Sequence, residues 1–408
     1  MSGPRLPPEL TDTIIDNLSD DKPALATCSY VCRAWMARSR YHHFEHVYLT
    51  YEDRDRIRAF PILLDSVLST ITPHIRSLHL AEGRAPSDRW LNDHLMDLAM
   101  FSAVESLTIE NATITHLDSP IIMTFLPTFR MLKELHLLQP YFRSFAQLVN
   151  IFGACPLLEH ISLDEFNYWN LIYHQYPSIN EHPLRHLKTL ELGVCDKVAV
   201  IDWLLAGDKI PALTKFRATV LTPHQIAPTG ALLHALGLSL EHLEIGSGRD
   251  YRDSADFSGT LLASLNTLSS SVTYSSSLVD EIRRHIDLSN HTHLRAVCFT
   301  EYLLEHHVEA SENISWIPVV LSQIVPSHIE ELEFHIVVSD PKDLEAFNWD
   351  AITNILVKTS FSRLRTLRFY AEMEVAYLES VVRIDEPKVM ELISRKLATW
   401  AALGVLSM

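Results

Sequence analysis

LKELHL (residues 132–137), LKTLEL (187–192), LEHLEI (240–245) and LRTLRF (364–369) share one form, apolar-x-x-apolar-x-apolar. Six more segments fit it: IRSLHL (75–80), VESLTI (104–109), LEHISL (158–163), LTKFRA (213–218), LRAVCF (294–299) and IEELEF (329–334). In a chain that is 47% hydrophobic the form alone is common, so the spacing carries the argument. The starts step by 29, 28, 26, 29, 26, 27, 54, 35 and 35 residues, and 54 is twice 27. Each segment alternates in the manner of a strand, with one side apolar. Between them lie stretches with helical spacing. Residues 53–69 carry Ile57, Phe60, Leu64 and Leu68, and residues 144–154, 198–205 and 231–238 are similar.

Strand, loop, helix, loop at 26–29 residues is the period of the leucine-rich repeat, and the chain resembles that family. Each unit leaves an apolar face that only a neighbour covers, so such units stack. The Asn or Cys that usually follows the strand is mostly missing, with Ala81 and Asp164 in its place. Strand alternation puts the other side chains on a concave face: Ser77, His79, Ser106, Thr108, Glu134, His136, His160, Ser162, Thr189, Glu191, Lys215, Arg217, His242, Glu244, Ala296, Cys298, Glu331, Glu333, Thr366 and Arg368. The candidate target-binding residues among them are His79, Thr108, His136, His160, Glu191, Arg217, His242, Glu244, Glu333 and Arg368. Residues 246–277 read as a loop or irregular repeat, with one repeat degenerate near Leu265. The two long steps imply insertions at 302–315 and 339–348. A helix over about 386–403, with Val389, Ile393, Leu397 and Trp400 in one stripe, reads as a cap.

The first fifty residues have another pattern. Leu6-Pro7-Pro8-Glu9-Leu10 opens a helix, since proline suits a first turn. Leu10, Ile14 and Leu18 follow at i, i+4 and i+8, with Ile15 beside them. Ser19-Asp20-Asp21 interrupts, and the spacing predicts a second helix from about Lys22 to Trp35 with Leu25, Cys28, Cys32 and Trp35 in one stripe. Two helices this short cannot bury both stripes on each other, so some apolar surface faces a partner or the next domain.

This arrangement, from Leu6 through Cys28-Ser-Tyr-Val-Cys-Arg-Ala-Trp35, resembles the F-box motif in the form common in mushroom-forming fungi. The resemblance covers about residues 5–46. It implies a substrate receptor of a Skp–cullin–F-box ubiquitin ligase, with Leu6, Pro7, Glu9, Leu10, Ile14, Leu18, Val31, Cys32 and Trp35 contacting a Skp-type adaptor. The expected fold is therefore α/β. A small helical F-box (residues 1–46) precedes a leucine-rich-repeat-like solenoid (residues 47–408) with parallel strands on the concave face and helices outside. The expected partners are the adaptor, through it a cullin, and a target protein that the sequence does not name. Rival readings are a repeat scaffold with a silent F-box and an enzyme with an unrecognised site.

The remaining signals are exclusions. The 51 acidic against 34 basic residues give a net charge of −17, which repels phosphate backbones, so no nucleic-acid partner is expected. The N-terminus lacks an apolar signal region and no run of about 18 apolar residues occurs, so neither secretion nor membrane insertion is expected. Five widely spaced cysteines suit buried thiols in a reducing compartment, cytoplasm or nucleus. No Gly-Lys, His-Glu-x-x-His or Gly-x-Ser-x-Gly motif occurs, and no catalytic residue, cofactor or metal is expected. His42 and His46 lie at i, i+4, as do Cys28 and Cys32. Both pairs read as packing positions rather than metal ligands.

Overall fold

The computed structural model describes residues 7–65, 71–83, 90–95, 97–112, 124–142, 144–165, 167–168, 184–207, 209–247, 274–303, 316–338, 344, 347–358, 361–375, 380–383, 387–402 and 406–407. The chain divides into two compact units, Met1–Leu187 and Lys188–Met408.

The first unit begins with three short helices, α1 (Pro8–Asp16), α2 (Lys22–Cys28) and α3 (Arg33–Phe44). Pro8 supplies the first turn of α1, and its buried positions are Thr11 and Ile15. Asp21 caps α2, its side chain accepting the Ala24 N–H at 2.9 Å. The expected helix over Lys22–Trp35 is instead two helices. Ser29 Oγ donates to the Ala26 carbonyl at 2.6 Å. The Tyr30 and Val31 N–H groups bond three residues back to Thr27 and Cys28. These bonds use up the last carbonyls of α2, and Cys32 becomes the extended N-cap of α3.

Polar contacts tie α3 to the other two helices. Asp16 takes Arg38 Nη2 on Oδ2 at 2.9 Å and His42 Nε2 on Oδ1 at 2.7 Å. The Lys22 ammonium donates to the His42 carbonyl at 2.6 Å. The Arg38 hydrogen bonds, then those of His42, hold the Asp16 carboxyl down at about 2. A carboxylate whose pKa falls on folding stabilises above its unfolded value, and loses that contribution as pH falls through about 2. Because the pair is partly exposed, its worth is about 1 kcal/mol or less. Asp16→Asn is expected to lower the urea midpoint at pH 7 by that small amount. Near pH 2 it should leave the midpoint unchanged, which urea titrations at both pH values will check.

The helices lead into a parallel ladder of β1 (His46–Thr50), β2 (Ser77–Ala81), β3 (Ser106–Glu110), β4 (Glu134–Leu138) and β6 (His160–Asp164). A small parallel pair, β5 (Tyr141–Phe142) and β7 (Asn167–Tyr168), lies outside it. In register, Leu78, Leu107, Leu135 and Ile161 form one buried row, and Leu80, Ile109, Leu137 and Leu163 another. Burying each such side chain contributes about 1.5–3 kcal/mol.

Rungs are pinned at their base. The carbonyl just before each strand accepts two consecutive N–H groups from the next: Glu45 from Arg76 and Ser77, Arg76 from Glu105 and Ser106, Glu105 from Lys133 and Glu134, Lys133 from Glu159 and His160. The side chains at these positions alternate in sign from Glu45 to Glu159. Glu105 pairs with Arg76 at 3.2 Å and Lys133 at 2.8 Å. A rung that skipped its neighbour would meet like charge, so the alternation disfavours that misordering.

The second unit repeats the plan with β8 (Thr189–Leu192), β9 (Lys215–Leu221), β10 (His242–Ser247), β11 (Ala296–Leu303), β12 (Glu331–Val338) and β13 (Thr366–Val375), all parallel. Its core row ends in Phe299, Phe334 and Phe369. The first two centroids are 5.5 Å apart and the last two 4.4 Å apart, with the last two rings nearly parallel. Helices Lys197–Leu205 and Pro223–Leu236 follow β8 and β9, the second starting eight residues before the expected 231–238 segment. Thr222 and Gln225 form a capping box at its start, and Pro228 lies within it. It packs against helix Tyr274–His285 at Gly230, where a Cβ would sit 2.2 Å from the His285 carbonyl oxygen, so only glycine fits.

Three expectations are corrected at the edges of the ladders. Residues 246–247 finish β10 and residues 274–277 begin a helix, so the irregular region is narrower than 246–277; its remainder, Leu265 included, lies outside the described residues. The C-terminal helix over 386–403 is two, Pro387–Lys396 and Ala398–Ala402. Leu397, fully buried, sits at the break, and the Lys396 carbonyl turns to the Thr353 hydroxyl at 3.5 Å. The cap is also partly strand: β14 (Ser380–Arg383) pairs antiparallel with the end of β13 and β15 (Leu406–Ser407) pairs with its start. Together they cover part of an edge that would otherwise present open N–H and C=O groups.

Candidate docking surfaces

Three-helix packing leaves apolar side chains outside. Because α1 buries Thr11 and Ile15, the neighbouring Leu10 and Ile14 stay in solvent, 52% and 44% exposed. The break between α2 and α3 pushes out Tyr30 (89%) and Val31 (58%). Pro7, Glu9 and Cys32 are also exposed, while Leu18 and Trp35 are half-buried. Leu6 lies outside the described residues. A soluble chain seldom leaves so many large apolar groups in one small unit without a partner for them. Tyr30 was missed in the sequence reading, which placed it inside a continuous helix; the signal available was Ser29, a residue that ends helices by bonding its own backbone.

The second surface is the polar side of the ladders. In the first unit, His79 Nε2 lies 2.9 Å from Glu110 Oε2, and Tyr48 packs edge-on to the His79 ring at 4.4 Å. His136 and His160 pack edge to face at 4.8 Å, with Thr108 in register between His79 and His136. All these side chains are half-exposed apart from Tyr48, which is exposed.

In the second unit the register aligns Glu191, Arg217, Glu244, Cys298, Glu333 and Arg368 in one row. Glu191 takes Lys215 at 2.7 Å and Arg217 at 3.8 Å. Arg217 reaches Glu244 at 2.9 Å, and Arg368 pairs with Glu333. His242, on the row below, is exposed. Charge is thus largely neutralised within the face. Partly exposed pairs of this kind are worth about 0–1 kcal/mol each, so they set a pattern of donors and acceptors more than a net attraction. Burial, with Glu244 and Glu333 close by, pushes the Cys298 thiol well above its ordinary range, so it is no ready nucleophile. Burial alone pushes Cys155 up to about 12. His42 is engaged with Asp16 and Glu45 while His46 is exposed at the start of β1, so that i, i+4 pair is not brought together.

No family model matches the sequence, and no curated protein matches it. Solved structures do. The Rad7 and Elc1 complex in yeast aligns over 89% of this chain and 88% of that one, at 11% identity and a TM-score of 0.37. The leucine-rich repeat-containing protein LegL7 from Legionella pneumophila aligns over 82% and 96%, at 10% identity and a TM-score of 0.36. Likeness this distant has no bearing on function. The parallel strands, their 26–35-residue steps broken by one of 54, and the intervening helices make the chain a mixed α/β protein of leucine-rich-repeat-like build.

Proposed function

We propose that the chain is the substrate-recognition subunit of a Skp–cullin–F-box ubiquitin ligase. The observation that carries the reading is the exposure of Leu10, Ile14, Tyr30 and Val31 on a unit whose fold is already closed by Ile15, Leu25 and Cys28. Leu10 and Ile14 have the spacing of a helix-in-groove contact, in which apolar anchors at i and i+4 enter a hydrophobic channel, and Tyr30 and Val31 extend the apolar surface from the turn after α2. They would dock on a Skp-type adaptor, and through it on a cullin, in the cytoplasm or nucleus. The polar ladder faces, with His79, His136, His160, Glu191, Arg217 and Glu244, would receive a target protein through hydrogen bonds. The receptor would form no bonds itself; it would supply proximity and orientation to the transferring machinery.

Isothermal titration of the full chain with a purified Skp-type adaptor tests this. One-to-one binding at micromolar affinity or tighter is the expected result; absence of any heat at tens of micromolar would remove the proposal.

A further inference from the structure

Cys298, Glu333 and His335 are the one group of three His, Cys, Asp or Glu side chains among the described residues whose ligand atoms converge, all within 4.8 Å of one another. Register brings them together. Cys298 on β11 lies directly across from Glu333 on β12, and His335 follows two residues later on the same face. Thr300, opposite His335 and on the same face, is buried. The three donors are half-buried, so they are shielded without being sealed.

The carboxylate is already divided between two tasks. Its Oε1 is held by Arg368 from the next strand, and its Oε2 faces His335 Nε2 at 3.7 Å. That is long for a hydrogen bond. It is close to the roughly 3.4 Å that separates two N/O donors bound at about 2.1 Å to one tetrahedral ion. Tyr370 lies against the His335 ring with centroids 4.5 Å apart, which limits its rotation.

We infer that Cys298, Glu333 and His335 form a binding site for a zinc-class divalent ion, with three protein ligands and a fourth position open on the polar face of the sheet. Thiolate and imidazole together select a borderline metal over magnesium or calcium, which require oxygen donors. Binding transfers one proton from the Cys298 sulfur to solvent as the metal–sulfur bond forms. Arg368 is the positioning residue: by engaging Oε1 it leaves Oε2 for the ion. The site uses none of the residues of the proposed adaptor surface and does not depend on that reading. Sequence spacing could not show it, because Cys298 lies one repeat before Glu333 and His335 and only the strand register joins them.

Titration of the full-length chain with Co²⁺ is the test. One equivalent should produce a sulfur-to-cobalt charge-transfer band, with visible bands of tetrahedral intensity, and Zn²⁺ should bleach both. Cys298→Ser and His335→Ala should each lose the charge-transfer band or weaken binding by about tenfold or more, and Arg368→Gln by about tenfold. Cys32→Ser, at the exposed thiol of the helical unit, should leave the spectrum unchanged. No charge-transfer band in the wild type, or a band that survives Cys298→Ser, would overturn the site. X-ray absorption of the zinc-loaded wild type gives an answer that needs no variant. One sulfur with two or three N/O neighbours is expected; a shell without sulfur would overturn it.

Discussion

A chain carrying Leu10→Asp and Ile14→Asp is expected to lose affinity for a Skp-type adaptor by about 100-fold or more while folding normally. Two anchors that each contribute about 2 kcal/mol amount to nearly three decades in affinity, and burying two carboxylates in an apolar groove adds to the loss. The folded chain has little reason to object. Both side chains already stand in solvent; Asp at position 10, in the first turn of α1, suits the helix dipole, while Asp at position 14, in its last turn, costs only about 0.3–1 kcal/mol. Titration against the adaptor, with urea denaturation beside it, reads both halves. An unchanged affinity would argue that the apolar flank serves some other contact. Ile15→Asp is the contrast: that side chain is fully buried, so its loss should appear in the urea midpoint.

The second large effect lies in the core of the second unit. Phe334 is fully buried between Phe299 and Phe369, its ring nearly parallel to that of Phe369. Phe334→Ala removes the middle of the stack, and the rings on either side are held by β11 and β13, so they cannot close the gap. The expected cost is about 3–5 kcal/mol, seen as a drop in urea or thermal midpoint. Phe334→Leu keeps most of the volume and should cost about 1.5 kcal/mol or less. Equal losses for both would mean that stacking geometry matters more than the void.

The repeats were legible because each strand segment shows its alternation directly: Leu78, Leu107 and Leu135 face inward and His79, Thr108 and His136 outward, as the period of two requires. All ten segments form strands, and β1, whose residues 44–49 (FEHVYL) also fit the form, joins them as the first rung. Helix ends were less legible. The break at Ser29–Cys32 rests on one hydroxyl bonding its own backbone, and the break at Leu397 on a contact from Thr353, 43 residues away in sequence. Neither leaves a mark in hydrophobic spacing. The polar face was readable position by position but not as a set of contacts. Nothing in the chain order tells that Arg217 spans Glu191 and Glu244, or that Cys298 meets Glu333, until register is known.

Hydrogen–deuterium exchange of the full chain, free and with a Skp-type adaptor, locates the contact directly. The account expects protection on binding over α1 and over residues 28–36, with β2 to β4 unchanged. Protection confined to the strand ladders, or none in residues 8–36 at saturating adaptor, would contradict it.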